Sequence, residues 1–272
     1  MSETSTSNRL PAVYIPHGGG PAFFMTGPMA DVFAPMREFL AGIDSLLPTT
    51  PNAILVVSAH WEAAVTTLTG GDSPPLIFDY YGFPDETYEL TYPAPSSPSL
   101  ARRAADLLGA AGIHHAVDDA YGWDHGVFIP LMVMYPDATI PVVAMSLRSD
   151  LDPAAQVDVG AALSPLRDEG VLIVGSGLSY HNLRRFMGDT PEGVADSIEF
   201  DRWLTASLVR PGAERAVALD AWSAAPGARS SHPREEHLLP LMVASGAGGD
   251  APGRKVYADT VGGHPVSAWL FD

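Results

Sequence analysis

Residues Ala53–Ala59 read AILVVSA and run directly into His60-Trp61-Glu62; residues Val171–Ser176 read VLIVGS and lead within five positions to His181. Both stretches are apolar throughout and rich in β-branched residues. A strand with one wet face would alternate, so unbroken apolar runs of this length predict strands covered on both faces, as in a parallel sheet flanked by helices. Leu10–Pro16 (LPAVYIP) and Ile140–Leu147 (IPVVAMSL) are of the same kind. Helical segments are expected at Met29–Leu47 (interrupted or restarted at Pro35), Ser99–Ala111, Gly126–Tyr135, Pro153–Glu169, Gly193–Leu208 and Pro233–Ala244. Shorter strands are expected at Ala64–Thr69, Val117–Ala120, Arg254–Ala258 and Pro265–Phe271. Ala213–Ala228 is alanine-rich with weak periodicity. No repeat and no linker divides the chain. The alternation predicts a single α/β domain over residues 10–272, preceded by a Ser/Thr-rich stretch, Met1–Arg9, that reads as a disordered tail.

Composition narrows the partners. Lys and Arg number 15 against 32 Asp and Glu, a formal charge of −17. Such a field repels phosphate backbones and anionic membranes, and no basic tract offsets it. Cysteine is absent, which excludes disulfides, thiolate metal sites and cysteine nucleophiles. No apolar run approaches the roughly 20 residues that span a bilayer, and the N-terminus lacks the basic and apolar regions of a signal peptide. The expectation is a cytoplasmic protein, monomeric or a small homo-oligomer. The segment Gly70–Ser99 is a long aromatic loop with Phe78, Tyr80, Tyr81, Phe83, Tyr88 and Tyr92; it reads as a lid or binding loop, or as one that packs on itself.

The chain has nine histidines, and their placement carries more information than their number. His17, His60 and His181 each lie at or just beyond the end of an apolar strand, where open α/β sheets place their ligands. His237 sits one turn into the expected 233–244 helix and can point into the same crevice. Three neutral imidazoles with an open coordination position make a catalytic site for Fe²⁺ or Zn²⁺. The plainer reading of each is a turn cap or a partner for a carbonyl. His114 and His115 read as surface residues, and His264 as structural or exposed. The Gly175–Ser179 stretch, GSGLS, does not fit the serine-nucleophile pattern GxSxG.

Taken together, PHGGGP around His17, VVSAHWE around His60, GSGLSYHNLR around His181 and HPREEHLLPLMVA around His237 resemble the class III extradiol ring-cleavage dioxygenases, in particular the 4,5-DOPA dioxygenase-type branch. DYYGFPDETYELTYPAP and YGWDHGVFIPL are similar to that branch as well. The resemblance runs from about Pro11 to Phe271. It implies a central, mostly parallel or mixed sheet flanked by helices. It implies His17, His60 and His237 as metal ligands, His181 as the acid/base residue, His125 as a second pocket histidine contacting substrate, and His232 as a pocket or supporting residue. Fe²⁺ is the implied metal, and zinc is also found in this branch. Because many extradiol enzymes use two histidines and a carboxylate, Glu236 and Glu62 stay open as alternative ligands.

The activity implied is insertion of O₂ into a substituted catechol, DOPA-like or related, with the ring opened beside the diol. An anionic substrate needs local positive charge, for which Arg184 is one candidate and the protonated pocket histidines are others. Two other readings use the same residues: a zinc hydrolase, in which three histidines activate water, and a non-enzymatic interaction protein that retains the fold.

Overall fold

The structure is a computed structural model and describes residues 9–272 apart from Met187 and Asp189. The expected tail, Met1–Asn8, lies outside the described residues. Arg9 is described and is anchored, its guanidinium 2.8 Å from Asp168 and 2.7 Å from Ser164 Oγ.

Among the described residues, eight strands build one mixed sheet: β1 (Ala12–Pro16), β2 (Ala53–Ala63), β3 (Thr66–Thr69), β4 (His115–Asp118), β5 (Val142–Arg148), β6 (Val171–Gly177), β7 (Arg254–Val261) and β8 (His264–Phe271). Their order is β4-β3-β5-β2-β6-β1-β8-β7. The central run β5-β2-β6-β1 is parallel. β8 joins β1 antiparallel and pairs with β7 as a hairpin. Its turn, Gly262-Gly263, has φ of 59° and 88°, the paired positive values that a tight hairpin turn requires and glycine adopts without strain. The α/β class and the single domain expected from the pattern are what the chain adopts.

The helices are α1 (Pro28–Ala41), α2 (Pro98–Ala110), α3 (His125–Met134), α4 (Pro153–Leu163), α5 (Pro191–Leu208), α6 (Gly212–Asp220), α7 (Ala228–Ser231) and α8 (Leu239–Gly248). Strand residues alternate between two cores. Val13, Ile15, Val56, Leu172 and Val174 pack with Phe33, Phe128 and Leu131 of α1 and α3 on one face. Tyr14, Leu55, Val57 and Ile173 pack with Ala104 and Leu108 of α2, Leu163 of α4 and Met242 of α8 on the other. Burial on both faces is why the strands read as continuous apolar runs.

Several boundaries differ from the sequence reading, for identifiable reasons. Helices α2 and α5 start earlier than expected, while α4 starts at Pro153 as expected; each opens on an oxygen-bearing cap followed by proline: Ser97-Pro98, Asp152-Pro153 and Thr190-Pro191. The cap oxygens accept from the backbone N–H three residues on, at 3.2–3.3 Å, a start signal that outranks periodicity. α1 stops at Ala41 and is followed by a 3₁₀ turn at Ile43–Leu46. The 153–169 segment likewise divides into α4 and a 3₁₀ stretch, Ser164–Glu169. β4 starts at His115, so that residue is half-buried on a strand rather than in a surface turn. The last helix starts at Leu239, not Pro233, because Pro240 occupies its first turn. Consequently His237 belongs to the turn before α8 and not to the helix. β2 runs on to Ala63, with an irregularity in its pairing to β5 between Val57 and Glu62.

Candidate metal centre and its cavity

Strand order brings the histidines together. β6 lies between β1 and β2, and its pairing with the two ends at one level: Pro16 pairs with Gly177 and Ser58 with Ser176. His17 follows the end of β1. His60 sits within the irregular part of β2, the kind of break that re-aims a side chain. His181 follows β6 by a short loop whose backbone is tied to α7, with His181 N donating to Ser231 O at 3.0 Å.

His237 arrives from the other side of the chain, 220 positions after His17, and its position is set by glycine. A Cβ on Gly177 would lie 2.2 Å from His237 O, and one on Gly175 would lie 2.2 Å from Pro240 O. Only glycine lets the turn come this close to the strand. The same His237 carbonyl accepts from Tyr14 Oη at 2.8 Å and from Leu178 N at 3.1 Å.

The ring centroids of His17, His60 and His237 are 4.8–5.2 Å apart, and their ligand nitrogens lie within 4.8 Å of one another. A polar oxygen faces the Nδ1 of each ring. Ser176 Oγ donates to Gly126 O, so it accepts from His17 Nδ1 at 3.1 Å. His237 Nδ1 is 3.0 Å from Glu236 Oε1, and His60 Nδ1 faces Asp79 Oδ2 at 3.5 Å. With protons on Nδ1, the Nε2 lone pairs turn inward, and those of His17 and His60 face each other at 3.1 Å. Two lone pairs at that distance repel unless a proton or cation lies between them. Two nitrogens about 2.0–2.1 Å from one divalent ion, at an angle of roughly 90–110°, stand about 2.8–3.4 Å apart. The donor set therefore fits a divalent metal, and a zinc or ferrous ion in particular.

The electrostatics agree. Burial, with the neighbouring histidines, holds His17 and His237 well below the usual imidazole range, and His60 is lowered mainly by burial and by His125. These rings are neutral at pH 7, the state a ligand needs. Burial works to raise Asp79, but its bonds with His125 outweigh that and lower it. Glu236 is likewise raised by burial and lowered further by His181, its own N–H and Arg234. Both carboxylates are ionised beside the cluster.

His125 is the first residue of α3; its N–H and Nδ1 both bond Asp79 Oδ1, at 2.9 and 2.8 Å. The His125 ring is 3.9 Å from that of His60, and the His181 ring stacks at 3.3 Å on that of His237. All five histidines line a cavity of about 460 Å³, within the roughly 300–1,000 Å³ typical of small-molecule sites. Its walls are apolar: Phe33 from α1, Leu178 and Phe186 after β6, and Tyr80 and Phe83 from the aromatic loop. The loop both lines the cavity and packs on itself, with the Tyr80 hydroxyl donating to Thr87 O at 2.6 Å. Tyr81, 91% exposed, stands at the mouth. His181 and Leu183 also line a second, outer cleft of about 570 Å³ that contains Arg184, Arg185 and Arg234.

Of the two places expected of His232 the structure matches the supporting one and not the pocket one, and Glu62 belongs to none of the ligand clusters among the described residues. His232 is fully buried and does not line the cavity; its Nε2 lies 2.9 Å from Ser179 O, with the ring between Phe200 and Trp222. It braces the loop that carries His181. Glu62 is engaged by Arg234 through both oxygens. Among the other histidines, His264 is buried, with Nδ1 3.0 Å from Ser197 Oγ, and His114 is exposed. Residues that sequence reasoning missed are Asp79, Ser176 and Tyr14. Asp79 is one of several acids in a long loop, and nothing local separates it from Asp72 or Asp85.

The comparisons with known proteins point the same way. The chain is 37% identical over 263 residues to a dioxygenase, tasH, of Hapsidospora irregularis, covering 92% of this chain and 81% of that one. It is 41% identical over 228 residues to a 4,5-DOPA dioxygenase extradiol of Portulaca grandiflora, covering 82% of each. The solved structure of an uncharacterized Escherichia coli K12 protein superposes with a TM-score of 0.76 at 31% identity, over 97% of this chain and all of that one. Residues 10–269 match the family described as the catalytic LigB subunit of aromatic ring-opening dioxygenase, and the chain belongs to that family.

Proposed function

We propose that the protein is a non-heme, Fe²⁺-dependent extradiol dioxygenase that opens a substituted catechol beside its diol, with His17, His60 and His237 holding the metal. The observation that carries this reading is the convergence of three neutral, Nδ1-anchored imidazoles at the base of an apolar cavity that also holds two histidines outside the ligand set. A bound ferrous ion supplies a coordination face for both diol oxygens and for O₂, and lowers the pKa of the coordinated hydroxyls. The chain's own residues do the rest. His181 and His125 stand beside the ligand rings and take and return the diol protons. Phe33, Tyr80, Phe83 and Phe186 enclose the ring and exclude water. Arg184 in the outer cleft faces a carboxylate on the substrate's side chain, which fits a DOPA-like or related acidic catechol.

Oxygen uptake by anaerobically Fe²⁺-loaded protein over a panel of catechols tests this. One O₂ consumed per diol, with a yellow ring-opened product, supports it. Carboxylate-bearing catechols should lose KM selectively in Arg184→Ala, while neutral ones should not. If no catechol consumes oxygen and the Zn²⁺ form hydrolyses an ester or amide, the hydrolase takes the dioxygenase's place.

A further inference from the structure

The four histidines other than His17 in this cavity are arranged as two pairs, each sharing one carboxylate. Asp79 Oδ1 accepts from His125 Nδ1 at 2.8 Å and its Oδ2 faces His60 Nδ1 at 3.5 Å. Glu236 Oε1 lies 3.0 Å from His237 Nδ1 and 3.2 Å from His181 Nδ1. In each pair one ring belongs to the proposed ligand set and the other does not. The carboxylates are themselves held: Asp79 also by the His125 N–H at 2.9 Å, and Glu236 by Arg234, 3.5 Å from its other oxygen.

We infer that Asp79 and Glu236 are paired positioning residues, each fixing the Nδ1–H tautomer of one metal ligand and one proton-transferring histidine together, so that metal binding and proton transfer are set by the same two groups. The inference rests on the metal-site reading above and not on the identity of the substrate. Its physical basis is that a carboxylate only accepts hydrogen bonds, so any imidazole nitrogen it faces must carry the proton. The opposite nitrogen is then the lone-pair donor, and the carboxylate increases its basicity. Asp79 comes from the aromatic loop, so docking of that loop also orients His60.

The first test starts from metal-free protein and needs no substrate. Asp79→Asn and Glu236→Gln should each weaken Zn²⁺ or Co²⁺ binding, measured by chelator competition, by about 10–100-fold. Asp79→Asn belongs at the low end, because its contact with His60 is the longest of the four. His125→Ala and His181→Ala should leave metal affinity within a few fold of wild type. Asp79→Asn should also lower kcat in metal-saturated protein, and adding His125→Ala to it should cost little more, because both changes disable one unit. Wild-type affinity in both carboxylate variants overturns the inference, as does binding of two ions per chain with Asp79 as a ligand. Histidine ¹⁵N shifts in the wild-type apo-protein decide the matter without any variant: Nδ1–H tautomers at His60, His125, His181 and His237 are expected, and Nε2–H tautomers refute it. A protein that meets the metal-affinity and ¹⁵N tests but turns over no catechol sinks the proposed function and leaves this inference standing.

Discussion

Replacing Gly177 by alanine asks the most of the structural account. The new methyl would lie 2.2 Å from His237 O, 3.1 Å from its carbonyl carbon and 3.1 Å from the Tyr14 ring. Cβ contacts under 3.0 Å are essentially never found, so something must move by roughly 0.8 Å or more. β6 is pinned by β1 on one side and β2 on the other, which leaves the 233–238 turn to give way. The His237 carbonyl then pulls away from Tyr14 Oη and Leu178 N. Two net hydrogen bonds at about 0.5–1.5 kcal/mol each, with overpacking at about 1–3 kcal/mol, put the loss at about 2–6 kcal/mol. The ring moves with its backbone, and a misplacement near 1 Å costs about 10²-fold in turnover. Denaturant unfolding of the apo-protein reads the first quantity, and chelator competition with oxygen uptake reads the others. A destabilised Gly177→Ala protein that still binds metal and turns over like wild type would refute the claim that β6 sets the position of His237.

His181→Ala should retain wild-type metal content by elemental analysis and lose roughly 10²-fold or more in kcat; loss of the metal would make it a ligand instead. The pH dependence of stability has a definite sign. Burial pushes His232 down to about 4, against the bond to the Ser179 carbonyl that favours its charged form, and His17, His60 and His237 are lowered too. An unfolded histidine protonates near 6.5, so below that pH the unfolded chain binds more protons than the native one. Apo-protein stability should therefore be full above about pH 7 and fall with acidification, by up to about 1.4 kcal/mol per pH unit for each such ring. For His232 the window is pH 6.5 down to about 4. Unfolding curves across that range should steepen in this direction, and His232→Leu should flatten the slope by one ring's share; stability that rises on acidification through it would contradict the burial argument.

Strand existence was legible because a doubly covered strand must be apolar on both sides, a constraint written locally in AILVVSA and VLIVGS. The link between strand ends and His17 and His181 was legible for the same reason, since the fold rule concerns where strands stop; His60 instead lies inside β2, which runs on to Ala63. What lay beyond local pattern was partnership across the chain. Nothing near Glu236 shows that it meets His181 55 positions earlier, or that Asp79 reaches His125. Pro240 was visible, yet a helix start at 233 also satisfied the periodicity; the proline in the first turn, together with the docking of His237 O against Gly177, favours the start at Leu239. His232 was misplaced by its neighbourhood: it belongs to the same motif as His237, but its ring turns into the opposite core, against Phe200 and Trp222.

The central claim is that three histidines, from the end of β1, from β2 and from the turn before α8, hold one divalent ion. A crystal structure of anaerobically Fe²⁺-loaded protein, with anomalous scattering recorded at the iron edge, tests it most directly. The account predicts a single peak per chain with nitrogens of His17, His60 and His237 at about 2.0–2.2 Å, and Asp79 and Glu236 on the far sides of the rings. A peak centred among His60, Asp79 and His125, or an iron bound by Glu236, would contradict it.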